Sequence, residues 1–331
     1  MKILYPFSLI YKLGIYCRAL LYKYKIFKSY DFNVPIISIG NITMGGTGKT
    51  PMTLWLFNQL ILKNKRPCII TRGYNRQSKE LVIINKDNTN YTVREIGDEP
   101  LMMLKNNKNI TMVVSDNKIK AIQTALDNLD IDTIILDDGF QSLYIDRDLD
   151  LVMIDTKVGN NQYHLFPMGN AREPVSSIKR ANAVIANSDN VNSGINNICI
   201  NNNINIFQAY NIFTMVGEHG GVIDDFANLR GIAVCGIANP QSFLNALNDY
   251  EINVSAQFIV KDHYHYTAKD INQIYQFMGE NDCNTIITTW KDYYKIYSLN
   301  IKNQKIIILD VKLEIQGDAL LSMIDEVIGE N

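Results

Sequence analysis

Residues 34–51 read VPIISIGNITMGGTGKTP, and the reading of this stretch decides the fold. An apolar run rich in β-branched residues, Val34 to Ile39, meets a glycine-rich turn, Gly45-Gly46-Thr47-Gly48, followed by Lys49-Thr50. A helical pattern, Met52 to Leu62, comes next. Strand, glycine turn and helix N-terminus in that order form an anion cradle. Glycines let successive backbone N–H groups point inward, and the helix dipole favours negative charge there. In such a loop the lysine reaches the β- and γ-phosphates and the Thr50 hydroxyl serves as a Mg²⁺ ligand. The spacing departs from the strict G-x-x-x-x-G-K-[ST] pattern, whose first glycine falls on Thr43; the nearest earlier glycine is Gly40. The flanking strand and helix are the context the motif demands, so the expectation is a nucleoside triphosphate site.

At 331 residues the chain is long enough for two domains, each with its own core. A formal net charge of −2 supplies no global field for nucleic acid. Five cysteines (Cys17, Cys68, Cys199, Cys235, Cys283) show no C-x-x-C spacing, which fits reduced thiols better than a disulfide frame or zinc site. Before the phosphate loop, Lys2, Lys12, Arg18, Lys23, Lys25 and Lys28 are interleaved with Leu, Ile, Phe and Tyr, and no acidic residue precedes Asp31. The longest uncharged run, Ile3 to Tyr11, is far short of the ~20 residues a spanning helix needs. Basic stems that snorkel while apolar side chains enter the interface would suit an anionic membrane surface; an ordinary helix packed on the domain is the alternative.

After the loop, strand and helix patterns alternate. Pro67 to Thr71, Thr111 to Val114, Thr133 to Leu136, Leu149 to Ile154 and Ala183 to Ala186 read as strands. Leu81 to Arg94 suggests a hairpin or flap, and the Asn-rich stretch from Asn190 to Asn205 reads as loop. Such alternation implies a parallel sheet covered on both faces. Thr133 to Leu136 ends in Asp137-Asp138-Gly139, the arrangement that holds Mg²⁺ beside a phosphate loop. Two adjacent carboxylates repel unless a cation joins them, although Asp-Asp-Gly is also a common turn. From Leu229 a second α/β unit begins, with no phosphate loop of its own. Its conspicuous feature is Asp262-His263-Tyr264-His265-Tyr266-Thr267, just past a strand end, holding two of the chain's four histidines.

Taken in order, the basic N-terminal segment, VPIISIGNITMGGTGKTP, TRGYNR, GDEP, LDDGFQ, RDLDLVMID, FPMGNAREP, GIANP and DHYHYT resemble the tetraacyldisaccharide 4′-kinase family of lipid A biosynthesis over nearly the whole chain. That family writes its phosphate loop in the same variant form, with Thr43 where a glycine is expected. The resemblance implies transfer of the ATP γ-phosphoryl, with Mg²⁺, to the 4′-hydroxyl of a lipid-bearing glucosamine disaccharide 1-phosphate. It implies a P-loop (RecA-like) parallel-sheet domain with a second, smaller α/β domain that closes over the nucleotide. On this reading residues 1–30 are a membrane-associating helix, 31–205 the P-loop kinase domain, 206–228 linker or hinge strands, and 229–331 the smaller domain. The implied location is the cytoplasmic face of a bacterial inner membrane, peripheral or monotopic, with no obligatory protein partner.

Residue roles follow from the same resemblance. Gly45, Gly46, Thr47, Gly48, Lys49 and Thr50 hold the nucleotide. Thr50, Asp138, Asp137 and Glu99 are the metal-associated group, with the choice among the three carboxylates left open. Asp98 corresponds to the catalytic base, His263 to the histidine paired with it, and Arg172 to an arginine on the transferring phosphoryl. The chemistry is coherent without the name. A sugar hydroxyl is a weak nucleophile whose proton a carboxylate can take in the transition state, and a paired His can orient that carboxylate. Departures from the family pattern are Ser142 where His is frequent, Asn75 where Gly is usual, Lys118 where Arg is frequent, and Trp290 where an acidic residue is common. Two other readings fit the phosphate loop: a kinase of a soluble metabolite, which leaves the basic N-terminus unused, and a membrane-associated regulatory NTPase, which leaves Asp98 and His263 idle.

Overall fold

The computed structural model describes residues 4–107, 109–156, 163–187, 191–226, 228–299, 301 and 304–329. Residues 1–3, 188–190, 227 and 330–331, which fall in the spans expected above, lie outside the described residues.

The central strand is β1 (Ile36–Asn41), buried at every position, as a parallel strand covered on both faces must be. Before it comes α1 (Tyr5–Lys23); after the phosphate loop come α2 (Lys49–Leu62), β2 (Pro67–Thr71), β3 (Val82–Ile84), α3 (Val93–Ile96), α4 (Asp98–Asn106), β4 (Met112–Val114), α5 (Lys118–Asn128), β5 (Thr133–Asp137), β6 (Leu149–Ile154), β7 (Ala183–Ala186), α6 (Ser193–Asn201) and β8 (Asn205–Gly217). The rest is β9 (Gly231–Cys235), α7 (Pro240–Asp249), β10 (Val254–Ile259), α8 (Ala268–Glu280), β11 (Thr285–Thr289), α9 (Trp290–Tyr297), β12 (Lys305–Ile315) and α10 (Ala319–Ile328). The expected class, a mostly parallel α/β P-loop sheet followed by a smaller α/β unit, is what the chain forms.

Among the described residues one sheet of 12 strands runs β10-β9-β11-β12-β8-β7-β6-β1-β5-β2-β4-β3. β1 lies between β5 and β6, both parallel to it, with Ile37 opposite Ile135 on one side and Leu149 on the other. The phosphate loop and the Asp137-Asp138 turn therefore leave the same sheet edge side by side, where open α/β sheets bind ligands. β8 joins the halves. Its first four residues run parallel to β7, and from Ala209 onward it pairs antiparallel with β12.

Three local expectations change. The segment 81–94 is not a two-stranded hairpin, because β3 pairs antiparallel with β4 at the sheet edge. The Asn-rich stretch contains helix α6, started by the Asn192 side chain accepting from the Gly194 N–H; asparagine marks a helix start as readily as a loop. Residues 319–328, grouped by sequence with the smaller unit, pack elsewhere. Leu320, Ile324 and Ile328 of α10 are buried in the core around Leu56, Phe57 and Ile135. Each such side chain contributes roughly 2 kcal/mol of burial, and Lys63–Asp325 at 2.7 Å ties α10 to the end of α2.

Helix α1 lies on the first unit by one narrow face. Ser8 donates to the Leu165 carbonyl at 2.9 Å and Tyr11 to the Arg172 carbonyl at 3.0 Å. Its outer surface leaves Phe7, Leu9, Ile10, Leu13 and Tyr16 exposed. No helix of the described residues is long and apolar enough to cross a membrane.

Candidate active site

The phosphate loop owes its shape to two glycines and one threonine. Gly45 (φ 109°) and Gly48 (φ 88°) take left-handed conformations, and Gly48 is the N-cap of α2. Thr47 Oγ1 accepts from the Asn41 side chain at 3.0 Å, fixing the loop to the end of β1. Thr43, at the position where a glycine is usual, forms an antiparallel bridge with Ala171. Beside it the Met44 N–H donates to the Asn170 carbonyl at 2.6 Å, and the Arg172 N–H donates to the Ile42 carbonyl at 2.8 Å. The variant loop thus delivers Arg172 to the site. Gly46 faces the second unit: a Cβ there would lie 3.4 Å from Ala238 Cβ.

Asp138 sits at φ 48°, a strained angle for a non-glycine residue, and two cations meet its carboxylate. Arg172 Nη1 donates to both oxygens at 2.8 and 3.0 Å, and Lys49 Nζ is 3.6 Å from Oδ1. Burial alone would raise this carboxyl; Lys49 and Arg172 outweigh burial and hold it down to about 2. The turn itself is clamped by Lys118, whose ammonium donates to the carbonyls of Asp137 and Asp138 at 2.7 Å each. Burial pulls that ammonium down to about 8 against the two carboxylates. Asp137 points inward, accepting from Thr71 Oγ1 at 2.8 Å and Thr53 Oγ1 at 3.4 Å. Burial, with Glu99 and Asp138 nearby, pushes its carboxyl up to about 6.

A second cluster gathers around Asp98, the first residue of α4. His263 Nδ1 lies 2.9 Å from Asp98 Oδ2, across a chain separation of 165 residues. The His263 backbone is left-handed (φ 56°), its N–H donates to Asp262 Oδ1 at 2.9 Å, and its ring lies 4.9 Å from that of Tyr74. Two lysines of α9 complete the cluster: Lys295 Nζ is 3.1 Å and Lys291 Nζ 3.6 Å from Asp98 Oδ2. Burial would raise the Asp98 carboxyl, but the His263 hydrogen bond and the two ammonium groups outweigh it and hold it well below the usual carboxylate range. Lys291 also reaches Glu99 at 3.7 Å and Asp262 at 2.9 Å. Burial alone would lower its ammonium; the three carboxylates hold it above its ordinary value.

The charged residues expected at the site fall into two clusters rather than one. Lys49, Asp138 and Arg172 form the first; Asp98, His263 and Glu99 belong to the second. Thr50 is in the first turn of α2. Between the first cluster and α1 lies a cavity of about 670 Å³, lined by Tyr11, Arg18, Arg72, Lys118, Asp138 and Arg172 among others. Thr50, Asp137, Asp138 and Glu99 are hard oxygen donors of the kind Mg²⁺ takes, and the rise of Asp137, caused first by burial and then by the neighbouring Glu99 and Asp138 carboxylates, would be opposed by a divalent cation among them. Among the described residues no three acidic, His or Cys side chains converge into a metal cage of their own. That fits an ion held largely by substrate phosphates. Lys118 is marked in the sequence only as a departure from the family pattern, Lys291 and Lys295 carry no motif, and only the helix α9 shows that these two share a face.

A model of the tetraacyldisaccharide-1-P 4'-kinase family matches residues 1–329. The chain belongs to that family. Among relatives bearing the tetraacyldisaccharide 4'-kinase name, one from Wigglesworthia glossinidia brevipalpis is 35% identical over 289 residues, covering 84% of this chain and 75% of that protein. One from Halothermothrix orenii is 31% identical over an alignment of 343, covering 95% and 89%. The crystal structure of LpxK from Aquifex aeolicus in complex with ATP matches with a TM-score of 0.80 at 29% identity, covering 99% of both chains. Both clusters, the loop and α1 lie inside the span matched by the tetraacyldisaccharide-1-P 4'-kinase family.

Proposed function

We propose that the chain transfers the γ-phosphoryl of ATP to the 4′-hydroxyl of a tetraacylated glucosamine disaccharide 1-phosphate. The observation that carries the reading is the Asp98–His263 pair at 2.9 Å, a carboxylate base with its histidine in a chain that also carries a phosphate loop. A nucleotide-hydrolysing switch has no need of such a pair, and its two members come from different units. Asp98 is ionised throughout the neutral range and free of a proton of its own. It takes the acceptor hydroxyl proton as the acceptor oxygen bonds to the γ-phosphorus and the bond to the departing ADP oxygen breaks. His263 fixes the carboxylate by its Nδ1 contact. Lys49 leaves Asp138 for the β- and γ-phosphates, and Arg172 does the same for the equatorial oxygens, where its planar donors spread charge. Thr50 and carboxylates from among Asp138, Asp137 and Glu99 would hold Mg²⁺, which when bound would draw charge from the phosphate oxygens.

The cavity beside α1 suits the rest of such an acceptor. It is lined by Arg18, Arg72, Lys118 and Arg172, cations for a sugar phosphate, and it opens along a helix whose outer face is apolar. On this reading α1 lies in an anionic membrane surface with Phe7, Leu9, Ile10 and Leu13 in the interface, so that acyl chains remain in the bilayer while the head enters. The smaller unit, from Gly231 to β12, closes on the nucleotide and carries His263, which already meets Asp98 in this structure. The deciding experiment is mass spectrometry of a tetraacylated disaccharide 1-phosphate incubated with the protein, ATP and Mg²⁺. A product heavier by one phosphate, with ADP formed in equal amount, is expected. ADP formation that ignores the acceptor would sink the reading.

A further inference from the structure

Helix α9 brings more charge to Asp98 than an ion pair requires. It follows β11 with no loop, and Thr289 caps it by accepting from the Asp292 N–H. Lys291 and Lys295 are four residues apart, so both ammonium groups leave the same face and meet the start of α4. Both approach the same carboxylate oxygen, Asp98 Oδ2, at 3.6 and 3.1 Å, and His263 Nδ1 is nearer to Oδ2 (2.9 Å) than to Oδ1 (3.1 Å). The Glu99 N–H is the remaining donor on Oδ1, at 3.1 Å. The two oxygens of one buried carboxylate are thus unequally loaded.

Lys295 is also the more buried of the two lysines. Its side chain is 6% exposed, and its ammonium lies 3.5 Å from Asp292 Oδ1. Asp292 is fully buried and accepts from the Gly236 N–H at 2.9 Å and Thr289 Oγ1 at 3.0 Å. The ammonium makes no aligned hydrogen bond, so it acts on Asp98 as a buried charge rather than as a donor. Around it the helix is pinned on three sides. Trp290 Nε1 donates to Asp310 Oδ1 at 3.0 Å, the Tyr293 hydroxyl to Glu218 Oε1 at 3.1 Å, and the Tyr294 hydroxyl to Asn106 Oδ1 at 2.8 Å. The place of Lys295 is therefore set by β12, by the end of β8 and by the far end of α4 together.

We propose that Lys295, with Lys291 behind it, is a positioning residue for the transfer: it holds Asp98 through Oδ2 and leaves Oδ1 to receive the acceptor proton. The inference rests on the reading of Asp98 as the base. Loss of Lys295 lets the carboxylate rotate about its Cβ–Cγ bond, so the receiving oxygen leaves its productive angle while the nucleotide site is untouched. Misplacement on that scale costs up to about a hundredfold in rate.

The test is steady-state kinetics on Lys295→Met, Lys295→Arg, Asp98→Ala and the double variant Asp98→Ala/Lys295→Met, with thermal melts on each. Lys295→Met should lower kcat about tenfold to a hundredfold with the KM for ATP within about twofold, because the residue acts through Asp98 and not on the nucleotide. Lys295→Arg, which keeps the charge, should recover at least half of that loss on a logarithmic scale. In the Asp98→Ala background, Lys295→Met should cost nothing further, since there is no carboxylate left to position. If Lys295→Met does not fold, Lys295→Gln is measured in its place with the same expectations. A wild-type kcat in a folded charge-removed variant, or an undiminished further loss in the Asp98→Ala background, overturns the positioning role while leaving the base intact. Full activity in Asp98→Ala removes the base and this inference with it.

Discussion

The two charged clusters of the cleft are built in opposite ways. The Asp138 cluster takes Lys49, Lys118, Asp138 and Arg172 from the first unit alone, set by loops that leave neighbouring strands of one sheet. The Asp98 cluster takes its carboxylate from the first unit and His263, Lys291 and Lys295 from the second. A cluster of the first kind persists wherever the second unit sits. A cluster of the second kind exists only while the units are together, and such an arrangement suits a step that must wait for closure over both substrates.

The largest effect should come from the one-unit cluster. Lys49→Ala removes the loop lysine assigned to the phosphates and should lower transfer by about 10³-fold or more, with little change in melting temperature. Transfer within tenfold of wild type from a folded variant would show that the loop does not hold the nucleotide. The two-unit cluster comes next. Asp98→Ala and His263→Ala should each lower kcat by about 10²- to 10³-fold, and the double variant should fall little below the worse single one. If the losses multiply, His263 works apart from Asp98, and the cluster is two sites rather than one.

Stability against pH separates the clusters again, with a smaller effect. The folded-state carboxyl of Asp137, at about 6, lies above its unfolded value, so this group favours the fold when protonated. Its penalty therefore grows as pH rises from about 4 to about 6 and is complete above that. Asp137→Asn should stabilise the nucleotide-free protein on the order of 2 kcal/mol at pH 7.5 and much less at pH 4.5. Asp98 runs the other way: its folded carboxyl is depressed, so its contribution is present above pH ~4 and is lost as pH falls below that. Denaturant midpoints of Asp137→Asn at the two pH values decide the matter; an equal shift at both would mean packing, not charge. The smallest effect on turnover belongs to α1. Leu9→Asp, Ile10→Asp and Leu13→Asp together should reduce binding to anionic vesicles about tenfold or more while changing kcat on detergent-dispersed acceptor less than about twofold. Unchanged flotation with vesicles would reduce α1 to a packed helix.

The legibility of these features in the sequence follows their range along the chain. The phosphate loop and the Asp137-Asp138 turn each need fewer than ten consecutive residues, and glycine, lysine and paired carboxylates are informative by type. Asp98 and His263 were found through motifs, but nothing local says that they touch. Lys295 was out of reach because α9 itself was. Trp290, Tyr293, Tyr294 and Tyr297 lean toward strand by intrinsic preference, and it is their packing against Asp310, Glu218 and Asn106 that makes the segment a helix. β8 reads as part of a linker or hinge (206–228) because it changes partner, pairing direction and exposure at Ala209 within one strand. The Asn-rich stretch misled for a different reason, since a single asparagine at position 192 starts a helix there.

Helix α10 carries a consequence for how the chain is made. Leu320, Ile324 and Ile328 fill the hydrophobic layer against α2, whose phosphate-binding end was synthesised more than 250 residues earlier. Every residue of both clusters precedes α10 in the chain, yet the apolar layer on α2 is still open until α10 arrives. The nascent chain must keep that apolar surface exposed, or shielded by a chaperone, until α10 emerges. The helix that carries the phosphate loop thus depends for its packing on a segment more than 250 residues away, and its stability is a property of both halves of the chain rather than of the first alone.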